Sequence, residues 1–424
     1  MYEQHGINTL PRSRHTNRLR TTRSPFPAAL RTAGIACVAL FAGSAGAVGL
    51  QGDNWTVDVG GIVNAYYTAT SCSGDAVGGP ALAGRALGCA GENHKTSIGN
   101  GLLPSGLITK WKTQQEGFDI GGTIGIMVHA ATSSGVDTNT NVDVRQAFFT
   151  IGTPEWGSFK IGRDYGVFGA NAILNDMTLL GAGAPTQATQ RGRVTLGHIG
   201  AGYTYLQNYG QMTYTSPGFG SGFTFTAGLM SPVDAGVYSS KNYPQLQAQL
   251  QYTNETVKAW IGAKTQRYFA NAAVPINPDD PSAGYIITPD DDFNEFSAEV
   301  GASFTAGAFG FLANVQAGNG IGILGDADQG DVDGLNYLLQ GTYKFTDKMK
   351  FGLSYGISKN DEDKLYNSVL NAGFKSNENL TAGVYYALTS SVTLAAEVGE
   401  TRSKDYSDLE AKQYGGSIGG IVFF

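Results

Sequence analysis

No apolar run in this 424-residue chain is long enough to cross a membrane as a helix. Charge is scarce too, with Asp, Glu, Lys and Arg making up 15% of the residues. Histidine is nearly missing. Beyond residue 47 only His94, His129 and His198 remain, in separate segments. His198 has hydroxyl residues around it, yet no motif joins them, so a hydrolase built on His beside Ser or Asp has nothing to rest on. Three cysteines leave little room for a metal or redox centre. No linker, second domain, repeat array or coiled-coil segment is visible.

Glycine is abundant, with 60 residues, and aromatic residues reach 11%. That composition suits many strands and turns rather than long helices. If the chain is a membrane protein it must then be a closed barrel, which pairs every backbone group without a spanning helix. The first 47 residues differ from the rest. Arg12, Arg14, Arg18, Arg20, Arg23 and Arg31 form a basic lead, followed by apolar and small residues over 32–48. Ala45-Gly46-Ala47 has the small-x-small form of a signal-peptidase site, predicting an export signal over 1–47 and cleavage near Ala47. Cys37 lies in this run behind Gly34-Ile35-Ala36, a poor lipoprotein match, and reads as apolar filler. Loss of six Arg and one Glu takes the formal charge from −7 to about −12. An acidic balance of that size disfavours nucleic acid as a partner. Cys72 and Cys89 remain, together in one Gly/Ala-rich segment, and in an exported chain they suggest a disulfide.

Sixteen runs with period-two character follow, from residues 55–68 to 413–424. The run 244–253 puts Gln245, Gln247, Gln249 and Gln251 on one face and Leu246, Ala248, Leu250 and Tyr252 on the other. Such alternation means one apolar and one wet face. Tight joints near 115–117, 153–157, 217–220, 254–255, 305–307, 346–347 and 389–390 alternate with long ones such as 69–97, 164–208, 270–291 and 318–333. Short turns at one end and long loops at the other mark an outer-membrane barrel. The expected fold is all-β: a 16-stranded antiparallel transmembrane β-barrel over 48–424, wide enough for an aqueous channel. Residues 142–207 are its centre. Two alternating runs meet at the 153–157 turn, and alternation then stops for a whole loop. A loop of that length is usually functional. It predicts a third loop, about 164–208, folded into the pore.

That stretch resembles the general diffusion porins of Gram-negative outer membranes. The residues that carry the likeness are Arg145-Gln-Ala147-Phe148 through Gly152, Gly157-Ser158-Phe159, Ile161-Gly162-Arg163 and Asp164-Tyr165-Gly166-Val167. Asp176-Met177 falls where the family has an acid before Met, thirteen positions past the arginine. Tyr214-Thr215-Ser216-Pro217, Phe219, Gly222-Phe223 and a final Phe424 extend it. Two departures stand out. Thr178-Leu179-Leu180-Gly181 lacks the family's second carboxylate, and Ser105-Gly106-Leu107 lacks its arginine, which Lys110 and Lys112 could replace.

The resemblance implies an outer-membrane channel for passive diffusion of small hydrophilic solutes and ions, with no catalysis, cofactor or metal. It implies a homotrimer latched by the second loop at 132–141, set in outer-membrane lipids and lipopolysaccharide. It also implies that Phe424 is the signal read by the barrel-insertion machinery. At the constriction, Asp176 is expected to face the lumen, with Asp164 at the loop's start. Arg145, Lys110, Lys112, Lys160 and Arg163 are expected on the opposing wall, and Arg191 and Arg193 to complete the basic side. That balance predicts weak anion preference. The acidic outer loops, at Asp279, Asp280, Asp290–Asp292, Asp326, Asp328, Asp331, Asp333 and Asp361–Asp363, could instead gather cations at the mouth. The segment 325–334 lacks the spacing and closing Glu of a calcium loop and reads as a solvated acidic loop. The alternative function is a substrate-specific channel lined by Tyr165, Phe168, Tyr203, Tyr205 and Tyr209.

Overall fold

The computed structural model describes residues 47–130, 142–183, 195–236, 238–240, 242–270, 274–275, 285–286, 292–361 and 373–424. Sixteen antiparallel strands form a closed barrel. They are β1 (Trp55–Gly74), β2 (Ser105–Gln115), β3 (Phe118–Val128), β4 (Asp143–Thr153), β5 (Gly157–Tyr165), β6 (Asn208–Thr215), β7 (Phe223–Met230) and β8 (Gln245–Thr253). The second half holds β9 (Val257–Ala270), β10 (Phe293–Ala306), β11 (Phe309–Asn319), β12 (Asp333–Lys344), β13 (Met349–Asn360), β14 (Phe374–Ala387), β15 (Val392–Asp405) and β16 (Glu410–Phe423). Each pairs with the next, and β1 closes the ring on β16 from Ile62↔Phe423 to Gly74↔Ala411. Below that seam Val48–Gln51 pairs with Thr56 to Val59, covering the edge that β16 leaves open.

The pattern is that of a soluble protein turned inside out. Ile418 and Val398 on the outer wall are each 63% exposed, while Gln245 and Asn336 on the inner wall are fully buried. Only a lipid solvent makes that arrangement favourable. Around the short-turn end, outward aromatic rings touch in series. Trp55 meets Trp111, Trp156 meets Phe118 and Phe159, Phe159 meets Tyr214, and Phe309 meets Tyr343. Such a belt fits a membrane–water interface.

The first long joint is shorter than the sequence suggests. β1 runs on to Gly74, and a separate strand, His94–Gly99, continues the β2 wall beside it. Between that strand and β2 the chain breaks around Asn100, whose Nδ2 donates to Ser105 Oγ at 2.8 Å. In β4 one residue too many faces β3: Gly125 pairs with Gln146 and Ile126 with Val144. Arg145 is the bulged residue, and the bulge turns its side chain off the regular alternation.

Candidate functional site

The third loop enters the barrel after β5 as helix α1 (Ala170–Asn175) and a 3₁₀ turn (Met177–Leu180). The wall grips its backbone. Gln247 Oε1 accepts the N–H groups of Val167 and Phe168 at 2.7 and 2.9 Å, and Glu299 Oε1 accepts that of Gly169 at 3.1 Å. Gln340 Oε1 accepts Met177 N–H at 2.6 Å, and Glu397 Oε2 accepts those of Ala182 and Gly183, both at 2.6 Å. Tyr66 on β1 donates to Leu180 O at 2.7 Å. These anchors run from β8 round to β1, so the loop crosses the lumen. Hydrogen bonds of this kind each contribute about 0.5–1.5 kcal/mol, and those to carboxylates about twice that.

Apolar packing fills the space between. Leu82 of the first loop, Leu102, Ile173, Leu179, Leu196, Ile199, Tyr203 and Leu206 form one buried cluster with wall residues Trp260, Leu312 and Leu338. Leu324 of the sixth loop, 320–332, packs against it. Among the described residues the first and sixth loops thus join the third in closing the long-loop half of the barrel, and Ala235 and Tyr238 of the fourth loop pack against Ala327 of the sixth. The acidic segment is solvated only in part, with Asp333 exposed and Asp331 half-buried. Asp326 is buried, accepting from Tyr209 Oη at 2.7 Å and pairing with Lys264, which also reaches Glu295 Oε1 at 2.8 Å. Asp328 accepts the N–H groups of Ile323, Leu324 and Gly325 at 2.7–3.1 Å. Burial raises its carboxyl above the ordinary range although these donors pull it down. Asp361 pairs with Lys359 at the rim, whereas Asp279, Asp280 and Asp290 lie outside the described residues.

The expected constriction residues scatter. Asp176 does not face the lumen. It is buried, accepting from Tyr203 Oη at 2.7 Å and Thr178 N–H at 2.9 Å, with His198 Nδ1 at 3.2 Å from Oδ2. Burial pushes its carboxyl upward, but the charge and hydrogen bond of His198, with Tyr203 and Thr178, hold it below the usual value. Arg145 is also buried, between Asp143 at 2.7 Å and Tyr205 Oη at 3.4 Å. Arg163 faces outward. It shares the exposed set of β5 with Phe159, sits opposite Ala147, and donates Nε–H to Val144 O. Lys160 does face inward, but it pairs with buried Asp164 at 2.5 Å, which also accepts from Gln146 Nε2 at 2.9 Å. Phe168, Tyr203 and Tyr209 are buried in the packing rather than lining a path. Arg191 and Arg193 lie outside the described residues.

His198 Nε2 is 3.2 Å from Ser354 Oγ on β13, so Ser354, His198 and Asp176 line up as the residue types of a hydrolase triad. All three are buried, and Ser354 Oγ also contacts Thr381 O. The line ties the third loop to the wall.

Lys110 and Lys112 point to the lumen side, in the short-turn half rather than opposite Asp176, and sequence reasoning did not place Lys258, Lys344 and Lys350 with them at the pore. By strand register Lys110, Lys112, Lys160, Lys258, Lys344 and Lys350 all point inward in the short-turn half, against Asp58 and Asp119. Lys344 and Lys350 are direct cross-strand partners, and Lys350 Nζ lies 5.0 Å from the Tyr385 ring centroid. Among the described residues no carboxylate forms an ion pair with Lys110, Lys112, Lys344 or Lys350. Cys72 and Cys89 are joined by a disulfide.

A family model described as "Gram-negative porin" matches residues 33–406. The chain is a Gram-negative porin. Members are outer-membrane diffusion channels rather than enzymes, and the short-turn end of this porin's barrel is periplasmic. Solved structures agree on the fold. The outer membrane channel DcaP of Acinetobacter baumannii matches with a TM-score of 0.63 and 15% identity, over 89% of this chain and 100% of that one. An anion-selective porin from Comamonas acidovorans gives 0.59 and 15%, over 87% and 100%. OmpF of Salmonella typhi, in complex with daunomycin, gives 0.55 and 15%, over 88% and 100%. Comparison with curated sequences finds no match.

Proposed function

We propose that this porin passes small hydrophilic solutes with a weak preference for anions. The observation that carries this reading is the periplasmic vestibule, where Lys110, Lys112, Lys258, Lys344 and Lys350 point inward beside Asp58 and Asp119, the sixth inward lysine, Lys160, being paired with Asp164. Like charges placed directly across strands, as Lys344 and Lys350 are, cost stability unless anions collect between them. The basic residues act there, not as a row opposite Asp176. Charge in a confined lumen selects ions because screening is weaker than at an open surface.

The experiment is bilayer conductance of the mature chain across a potassium chloride gradient. A reversal potential on the chloride side is expected, and Lys344→Glu with Lys350→Glu should move it toward potassium. A potassium preference in the unaltered chain would overturn the reading.

The packed lumen favours a second reading, a substrate-specific channel whose loops yield to one class of small organic solute. Solute-dependent block or opening in the same bilayers separates the two.

Export through a signal over 1–47, a single barrel domain over 48–424 and homotrimer assembly complete the proposal. The second-loop latch at 132–141 lies outside the described residues. The outer aromatic belt supports contact with lipids and lipopolysaccharide. Phe424, seated at the seam, suits an assembly signal for the insertion machinery.

A further inference from the structure

The first loop, 75–93, has more than a connecting role. After β1 it turns into the barrel mouth and docks its tip, Ala81-Leu82-Ala83, on the inner wall. All three residues are buried. Asn377 of β14 holds that tip and the third loop at once. Its Oδ1 accepts Leu82 N–H at 3.0 Å, and its Nδ2 donates to Pro80 O at 3.0 Å and to Gly200 O at 2.9 Å. Ser403, the cross-strand partner of Asn377, accepts Ala83 N–H at 2.9 Å and donates to Asn377 Oδ1 at 2.6 Å. Ala81 packs with Ile323 of the sixth loop and with Phe374, and Leu82 joins the apolar cluster of the third loop. A Cβ on Gly200 would lie 3.4 Å from Leu82 Cδ1 and 2.6 Å from Leu324 Cδ2, so first, third and sixth loops meet there without a gap.

The attachment is of two kinds. At the tip it is a few hydrogen bonds and a small apolar contact, Ala81 and Leu82 with Val77 and Leu87 beside them, not strand pairing. At the base it is covalent: the Cys72–Cys89 disulfide, with a separation of 17, closes the loop into a ring on the β1 wall. A closed ring has few undocked arrangements, and they all keep the tip near the mouth. Tight tethering with a weak tip contact is what a closing element needs, since it leaves easily and returns every time.

We propose that the first loop is a disulfide-tethered lid that shuts the extracellular mouth over the third loop, with Asn377 as its latch. This rests on the reading of the chain as a diffusion channel. Opening breaks the Asn377 and Ser403 contacts and lifts Leu82 from the cluster, while the disulfide stays intact.

The test compares three mature proteins in bilayers: the unaltered chain, Asn377→Ala with Ser403→Ala, and Cys72→Ser with Cys89→Ser. Heat-modifiable migration on gels shows that each barrel is folded. The latch variant should raise the open fraction at least about tenfold, the low end of the effect of losing three hydrogen bonds to the lid. The cysteine variant should lengthen open events, and a dithiol added to the extracellular side of the unaltered chain should reproduce that. Hydrogen exchange reads the lid separately, with Leu82 and Ala83 amides exchanging faster in the latch variant and strand amides unchanged. Released amides with an unchanged open fraction would overturn the lid while leaving the channel reading in place. Folded protein with released amides and no conductance from any of the three would overturn both.

Discussion

Gly61 and Phe424 exchange two backbone hydrogen bonds across the barrel seam, 2.7 Å from Gly61 N–H and 3.1 Å from Phe424 N–H. A Cβ on Gly61 would sit 2.6 Å from the Phe424 ring and 2.5 Å from Gly106 O. The final ring therefore packs into space that only glycine leaves free. Gly61→Val is expected to cost about 1–3 kcal/mol by overpacking and to lower the yield of heat-modifiable barrel. Phe424→Ala should slow assembly in cells more than it lowers the melting temperature of barrel that has formed.

Lys264 is the cation between buried Glu295 and buried Asp326. Lys264→Met strands two carboxylates and should cost about 3–5 kcal/mol. The triple change Lys264→Met, Glu295→Gln, Asp326→Asn should recover most of that loss. Thermal unfolding followed by gel migration measures both, and exchange of sixth-loop amides should rise only in the single variant.

The Asp176 carboxyl is held below its ordinary value in the folded protein, chiefly by His198 working against burial. A depressed folded pKa contributes stability that is present above the unfolded value, about 3.9 for Asp, and lost as pH falls through the folded one. Third-loop protection factors, corrected for intrinsic exchange, should hold from pH 7 to about 5 and fall below about 4. Asp176→Asn should begin lower and lose that acid step.

Anion preference from the vestibule lysines must depend on salt. The Debye length shrinks from about 10 Å at 0.1 M to about 3 Å at 1 M. The chloride-to-potassium permeability ratio should therefore approach its bulk value as the mean concentration rises over that range. A ratio that ignores salt would place the selecting charge in the packed loops instead.

Strand number and the joint lengths other than the first were legible because period-two alternation survives in each wall. Parity was equally legible at Arg163, two residues past Ile161 and four past Phe159, on the outward set. Motif likeness placed it at the pore, and alternation places it outside. Lys258, Lys344 and Lys350 could have been found by the same count. Asp176 could not. Its orientation depends on His198 and Tyr203, which return to it only after the loop folds. Leu82 gave one faint signal, an apolar residue between alanines in a Gly/Ala-rich loop that also carries Val77 and Leu87. Nothing local says that the loop turns inward, because that choice is made by Asn377, 295 positions away.

The wall holds the third loop by its amides. Val167, Phe168, Gly169, Met177, Ala182, Gly183 and Thr204 all present N–H groups to wall side chains. Main-chain groups are common to all residues, so these anchors read the loop's path more than its side chains, Gly169 and Gly183 excepted because their positive φ favours glycine. Natural variants could exchange loop residues that meet solutes without unseating the loop. A designer could do the same, keeping the barrel as a fixed frame and rewriting the filter one side chain at a time.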